Sequence, residues 1–129
     1  LPVLYKNRGD FDSARQIIEQ TGVASLCSFI AALTHPFTCW RYDTELEEIF
    51  QYIPNDIFRR QDLPDAWMHY HYVCCFKVRE LPELNGELLN KNTHPMFLSK
   101  EVADMLIEVD TPQDHEKWLA IAGETNEIR

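Results

Sequence analysis

The sequence contains none of the short glycine motifs that cradle phosphates or present a nucleophile. It has no G-x-x-x-x-G-K, no G-x-G-x-x-G and no G-x-S-x-G. A P-loop, a dinucleotide-binding fingerprint and a hydrolase elbow are therefore not predicted. No side chain can be nominated as a nucleophile from a motif of this kind.

The sequence also lacks a secretory signal pattern and any apolar run long enough to span a membrane. Its four cysteines, Cys27, Cys39, Cys74 and Cys75, show no C-x-x-C spacing. We therefore expect a cytoplasmic protein with free thiols and no membrane partner. Because Cys74 and Cys75 are adjacent, they would face opposite sides of a strand, which argues against a metal site made by both.

Positive charge is scarce, since 12 Lys and Arg stand against 21 Asp and Glu and the net charge is −9. Binding to a nucleic-acid backbone needs a segregated basic face, and the one adjacent basic pair is Arg59-Arg60. We therefore expect no nucleic-acid partner. The 45% hydrophobic content over 129 residues is typical of one globular domain, residues 1–129. Because the chain begins at Leu1, we expect a processed product or a piece of a longer protein.

The hydrophobic pattern predicts an α/β fold. A strand within residues 1–9, a helix and a second strand would together form a right-handed crossover in a parallel sheet. The predicted elements that follow the first strand are a helix capped by Asp10 and ended by Gly22, a central strand at 24–32, a short strand at 39–42, a helix at 45–52, a strand at 68–78, an edge strand at 96–98 and a last helix at 113–122.

An acidic corner near the end of the chain is the main candidate site. Residues 105–109 have the length and apolarity of a short strand, so alternation places Glu108 and Asp110 on one face. Thr111 and Asp114 then have the spacing of a capping box at a helix start. Two carboxylates at such a corner suit Mg²⁺, which binds one or two carboxylates and keeps its waters and phosphate ligands. The alternative is a solvated strand end followed by an ordinary helix cap.

Two further constellations have both a functional and a structural interpretation. His69 and His71 share a strand face with Cys75 and could bind zinc, but a third ligand would have to come from elsewhere, so structural histidines are the alternative. Arg59 and Arg60 could hold a carboxylate or phosphate through bidentate hydrogen bonds. The alternative for the arginines is salt bridging to the many acidic side chains.

Two motifs in the chain resemble a known enzyme family. Residues 59–64 read RRQDLP and residues 107–114 read IEVDTPQD. They are similar to the RRQDLP loop and the acidic I-D-I-D-T-x-x-D segment of the CMP-sialic acid synthetase family of cytidylyltransferases. Weaker similarity at residues 12–14 and 22–26 precedes them in the same order. The resemblance covers most of the chain and corresponds to the C-terminal part of such an enzyme.

The resemblance implies a Rossmann-like fold of the nucleotide-diphospho-sugar transferase type, with a mixed sheet. It implies a reaction in which CTP activates an acidic 2-keto sugar to a CMP-sugar and pyrophosphate is released. Family members are usually homodimers, and residues 33–58 correspond to their dimerisation region. The family's N-terminal nucleotide loop has no counterpart in this sequence. The chain alone is therefore expected to be inactive.

The resemblance also assigns roles to residues of this chain. Glu108 and Asp110 would hold Mg²⁺, with Asp110 and Arg60 as the catalytic pair. Arg60 would bind the carboxylate of the sugar, supported by Arg59 and Gln61. The first metal ligand here is Glu108, where family members have Asp.

Two other hypotheses remain open at this stage. The chain could be a degenerate, non-catalytic binding or dimerisation module of the same fold, because the nucleotide loop is missing. It could instead be an unrelated acidic interaction protein, although its acidic residues are interleaved with Lys and Arg rather than spread over one surface. We adopt the cytidylyltransferase interpretation, with the degenerate module as its alternative.

Overall fold

The computed structural model describes residues 3–126, which divide into two compact units. We call residues 31–68 the hairpin unit, and the rest of the chain, 1–30 with 69–129, the sheet unit. The protein is mixed α/β, and no helix among the described residues has the length and apolarity to cross a membrane. In chain order the elements are α1 (Arg8–Thr21), β1 (Ser25–Ala31), β2 (Trp40–Asp43), β3 (Glu48–Gln51), β4 (Trp67–Phe76), β5 (His94–Phe97), α2 (Lys100–Met105) and α3 (Pro112–Asn126).

Helix α1 begins earlier than its sequence predicts and ends where predicted. Asn7 is the N-cap, and its side-chain oxygen accepts a hydrogen bond of 2.9 Å from the Gly9 N–H. The predicted cap Asp10 is wrong, because its carboxylate instead accepts a 2.8 Å hydrogen bond from the Tyr72 hydroxyl. Gly22 is confirmed as the C-cap, with φ of 70°, a left-handed conformation that glycine adopts without steric cost.

The main sheet has three strands in the order β4-β1-β5, so β1 is central as predicted. Strand β5 is parallel to β1, with Leu26 opposite His94. Strand β4 is antiparallel to β1, because the Lys77 N–H donates to the Ala24 carbonyl at one end of the pair and the Ala32 N–H donates to the Ala66 carbonyl at the other. The predicted strand–helix–strand crossover is wrong for the part of residues 1–9 that is described, because residues 3–9 form an isolated bridge, Val3 with Glu108, and no strand.

The core of the sheet unit lies around β1. Leu26 and Val73 are fully buried, and so is the polar side chain of Ser28. The Ser28 hydroxyl accepts a 3.0 Å hydrogen bond from the Val73 N–H and donates to the Tyr70 carbonyl. It thereby satisfies two backbone groups of β4 that would otherwise be costly to bury.

The hairpin unit is built on the antiparallel pair β2 and β3, with Tyr42 opposite Ile49. The predicted helix at 45–52 is wrong. The Asp43 carboxylate accepts hydrogen bonds from the N–H groups of Glu45 and Leu46 at 3.0 and 3.1 Å, which closes a turn where a helix would begin. The apolar residues after the turn then pair as a strand.

The chain around the acidic corner also differs from prediction. The strand predicted at 105–109 is wrong, because α2 occupies residues up to Met105 and Glu108 forms a single bridge. The Ser99 side chain caps α2 by accepting a hydrogen bond from the Val102 N–H. The apolar residues up to Met105 therefore belong to this helix and not to a strand. Helix α3 spans the predicted range, and β5 is at the edge of the sheet as predicted.

Candidate functional site

The RRQDLP segment forms a short 3-10 turn in the hairpin unit, Arg60–Asp62. The Arg59 guanidinium donates two hydrogen bonds to the Asp62 carboxylate, from Nε at 2.7 Å and from Nη2 at 3.0 Å. This bidentate pair neutralises Arg59 and fixes the turn. Arg59 therefore follows the structural alternative, because it forms a salt bridge to an acidic side chain.

Arg60 differs from its neighbour because no carboxylate pairs with it among residues 3–123, whose side chains the structure describes. It lines an open pocket of about 330 Å³ and also an adjoining one of about 180 Å³. Gln61 is exposed on the same turn and does not line either pocket. The larger pocket is lined by Leu33, Thr34, His35, Thr38, Ile57, Phe58, Arg59, Arg60 and Leu63.

His35 lines both pockets and links two segments of the hairpin unit through its ring. Its Nδ1 accepts a 3.2 Å hydrogen bond from the Phe37 N–H, which makes Nε2 the protonated nitrogen. Nε2 then donates to the Pro64 carbonyl at 2.8 Å. Sequence reasoning missed His35 as a site residue, because it lies 29 residues from its partner and belongs to no motif.

The acidic corner lies in the sheet unit and gathers two carboxylates near one phenol. Glu108 is half-buried and Asp110 is exposed. Burial, followed by the charges of Glu108 and Asp110, raises the pKa of Tyr70 to about 12. The Tyr70 hydroxyl donates a 3.2 Å hydrogen bond to the Leu106 carbonyl. Among the residues that the structure describes, neither carboxylate is in an ion pair.

The helix start after this corner is a capping box, as predicted. The Asp114 N–H donates to the Thr111 hydroxyl at 3.2 Å, and the Thr111 N–H donates to the Asp114 carboxylate at 3.1 Å. The hydrogen bond from the Thr111 hydroxyl lowers the pKa of Asp114. Asp114 is therefore committed to the helix start, and the two carboxylates available to a ligand are Glu108 and Asp110.

A third cluster is formed by His69 and His71 of β4 with Glu87. His69 Nε2 lies 2.8 Å from the Glu87 carboxylate, and the two imidazole rings are 4.9 Å apart. One donor atom from each residue lies within 4.8 Å of the others. Glu87 was missed in the sequence because it follows His71 by 16 residues, through a loop that local periodicity does not predict.

The candidate residues thus fall in two separate units. Arg59, Arg60 and Gln61 belong to the hairpin unit, whereas Glu108 and Asp110 belong to the sheet unit. Comparison with known protein families and with curated proteins finds no match for this chain. Its function has to be inferred from these side chains and their surroundings.

Proposed function

We propose that this chain is the C-terminal portion of a Rossmann-like cytidylyltransferase that uses CTP to activate an acidic 2-keto sugar, releasing pyrophosphate. The single observation that carries the proposal is Arg60. It is a guanidinium on a pocket wall with no carboxylate partner among the described side chains of residues 3–123, directly beside an arginine that has one. An arginine in that position is suited to an anionic ligand.

The pocket chemistry agrees with a small acid as the ligand. A volume of about 330 Å³ lies at the lower end of the range for small-molecule sites. Arg60 would bind the sugar carboxylate through two parallel N–H bonds, which a lysine could not reproduce. Arg59 holds the turn through Asp62, and Gln61 lies between them on that turn.

Glu108 and Asp110 fit a magnesium ion, because both carboxylates lack an ion-pair partner in the described part of the chain and Asp110 is exposed. In the proposal these two residues hold Mg²⁺. The ion would offset the negative charge of the CTP phosphates. Glu108 anchors this arrangement through its backbone bridge to Val3.

The proposal includes a homodimer formed through the hairpin unit. Trp40, Tyr42 and Ile49 share one face of the β2–β3 pair and are 53%, 60% and 64% exposed. Large apolar side chains grouped on one face mark an interaction surface. We assign that surface to a second copy of the chain, and light scattering at several protein concentrations would measure the resulting mass.

The enzyme assay uses the protein as its native source produces it, with CTP, Mg²⁺ and a series of 2-keto acid sugars. We expect pyrophosphate release. Arg60→Ala should raise KM for the sugar by about 10- to 100-fold, because a hydrogen bond to a charged group is worth about 1.5–3 kcal/mol. KM for CTP should be unchanged, and the control Lys91→Ala, which removes an exposed cation, should behave like the wild type.

The second candidate function is the degenerate binding or dimerisation module, favoured by the exposed apolar face of the β2–β3 pair. A protein that forms the dimer but releases no pyrophosphate with any of the sugars would support this module. Turnover that is equally fast in Arg60→Ala and wild type would contradict both the role of Arg60 and the acidic-sugar substrate.

A further inference from the structure

The cluster of His69, His71 and Glu87 has the donor set of a transition-metal site. The two histidines are at positions i and i+2 of β4, so their imidazoles project from the same face of the strand. Glu87 brings a carboxylate to that face from the loop after the 3-10 segment at 78–83. Two imidazoles and one carboxylate are the protein ligands of one class of zinc site, in which water or substrate takes the fourth position.

We propose that His69, His71 and Glu87 bind Zn²⁺ and leave one coordination position open to water or a small anion. The site is separate from Glu108 and Asp110, which share no donor group with it. Nitrogen ligands select zinc and its neighbours in the first transition series over magnesium, whose ligands are oxygen atoms. The proposal therefore does not depend on the cytidylyltransferase function.

The loop that carries Glu87 is held in place by Asn85. The Asn85 side-chain oxygen accepts hydrogen bonds from the N–H groups of Glu87 at 2.9 Å and Leu89 at 3.0 Å. The Asn85 N–H also donates to the Leu89 carbonyl at 2.9 Å, which closes the turn. Leu88 sits in this turn with φ of 56°, an uncommon conformation for a residue with a side chain. The Glu87 backbone is thus positioned before any ligand binds.

The hydrogen bonds of His71 favour ligation. Its Nε2 lies 2.8 Å from the Glu87 backbone carbonyl, and because a carbonyl can only accept, Nε2 carries the proton. The lone pair is then on Nδ1, which is available to a metal. A metal-binding histidine typically donates its other N–H to a carbonyl or carboxylate in this way, which fixes the ring.

The movement needed to close the site is small. Ligand atoms around a tetrahedral zinc lie about 3.3 Å apart, given zinc–ligand bonds of about 2.0–2.1 Å. The His69 Nε2 and a Glu87 carboxylate oxygen are closer than that, at 2.8 Å, and one donor atom from each of the three residues lies within 4.8 Å of the others. Side-chain rotations of the exposed Glu87 carboxylate and of the half-exposed His69 ring cover these differences, while the hydrogen bond to the Glu87 carbonyl keeps His71 in place.

Isothermal titration of the full chain with Zn²⁺ tests the site. We expect one strong Zn²⁺ site, and an excess of Mg²⁺, which is assigned to Glu108 and Asp110, should not lower its affinity for Zn²⁺. His69→Asn, His71→Asn and Glu87→Gln should each weaken Zn²⁺ binding by more than about 100-fold, beyond the 10- to 100-fold typical of residues that only orient a ligand. Asn85→Ala should fall within that 10- to 100-fold range. The matched controls are His115→Asn on α3 and Glu83→Gln, both exposed, and neither should change the affinity.

Cobalt substitution separates this site from the four free cysteines, which could also bind zinc. Co²⁺ at His69, His71 and Glu87 gives weak d–d bands without a thiolate charge-transfer band. A strong thiolate band, or a Zn²⁺ affinity unchanged in the His69→Asn/His71→Asn double variant, would overturn the proposal. Circular dichroism of each metal-free variant checks its fold. If a histidine variant unfolds, Glu87→Gln still tests the site, because glutamine has the same size as glutamate but lacks the negative charge.

Discussion

The sheet unit and the hairpin unit bury their apolar side chains to very different degrees. Every buried hydrophobic residue of the described chain belongs to the sheet unit, where Leu26 and Val73 are fully enclosed. Residues 31–68, all of which are described, include no buried residue. The sheet unit is therefore stabilised by removal of apolar surface from water, and the hairpin unit requires another source of order.

Local polar contacts supply that order. Asn55 is the main example, since its side chain donates to the carbonyls of Phe37 and Ile53 at 2.9 and 2.8 Å and accepts from the Ile57 N–H at 3.2 Å. Its backbone N–H donates to the Gln51 side chain at 3.0 Å. A unit ordered in this way keeps its apolar side chains in solvent, where they can contact a partner or ligand.

The largest expected effect compares the same substitution in the two units. Leu26→Ala removes a fully buried side chain and should lower the free energy of unfolding by about 2–5 kcal/mol. Leu46→Ala removes a side chain that is 62% exposed in the hairpin unit, and it should change the free energy of unfolding by no more than about 0.5 kcal/mol. Urea unfolding of both variants measures the difference. Equal losses would mean that the two units do not differ in how they are stabilised.

The sequence predicts the sheet unit better than the hairpin unit for the same physical reason. Strand β1 is recognisable because a central strand buried on both faces reads as a continuous apolar run. Residues 45–52 carry apolar positions at helical spacing, but burial does not determine their structure. The turn closed by the Asp43 carboxylate forms there in place of a helix, although the apolar residues have helical spacing. The residues after the turn pair with β2 as a strand.

The candidate sites divide in a similar way. The capping box of Thr111 and Asp114 depends on a spacing of three residues, so it could be predicted and is confirmed. Glu87 and His35 reach their partners across 16 and 29 residues, and only the folded chain brings them there. The difference in pairing between Arg59 and Arg60 depends on side-chain direction, which sequence patterns do not specify.

The next largest effect concerns the polar order of the hairpin unit. Asn55→Ala removes three side-chain hydrogen bonds and should destabilise this unit locally by about 1–3 kcal/mol. Native-state hydrogen exchange should show faster exchange in β2 and β3 with β1 unchanged. Asn92→Ala, at an exposed turn of the sheet unit, is the control. Equal loss of protection in β1 would show that the hairpin unit does not open independently.

An alkaline pH should act on the sheet unit through Tyr72. Burial is the largest cause that raises the pKa of this phenol from 10.0 to about 12, and its hydrogen bond to Asp10 adds to it. At a pH between these two pKa values, Tyr72 loses its proton in the unfolded chain but keeps it in the folded chain. The free energy of unfolding therefore falls as pH rises through this range. The stabilisation is fully present below about pH 10.

Urea unfolding at about pH 9 and about pH 11 would measure this loss. Tyr72→Phe should reduce the difference between the two pH values, because the titrating phenol is gone. Tyr42→Phe alters a tyrosine that is 60% exposed in the hairpin unit and should leave the difference unchanged. If Tyr42→Phe reduced the difference more than Tyr72→Phe, the alkaline sensitivity would lie in the hairpin unit, which would contradict the prediction.

The smallest effect is one of chemical reactivity, without a change in stability. Cys27 in β1 is fully buried, and burial raises the pKa of its thiol to about 12, so little thiolate forms near neutral pH. Cys39 in the hairpin unit is partly exposed, and its thiol donates only a long 3.6 Å contact to the His35 carbonyl. Peptide mapping after brief iodoacetamide treatment should find Cys39 alkylated and Cys27 protected until urea unfolds the chain. Equal labelling of the two cysteines in the native protein would mean that β1 opens as readily as the hairpin unit, which the difference in burial argues against.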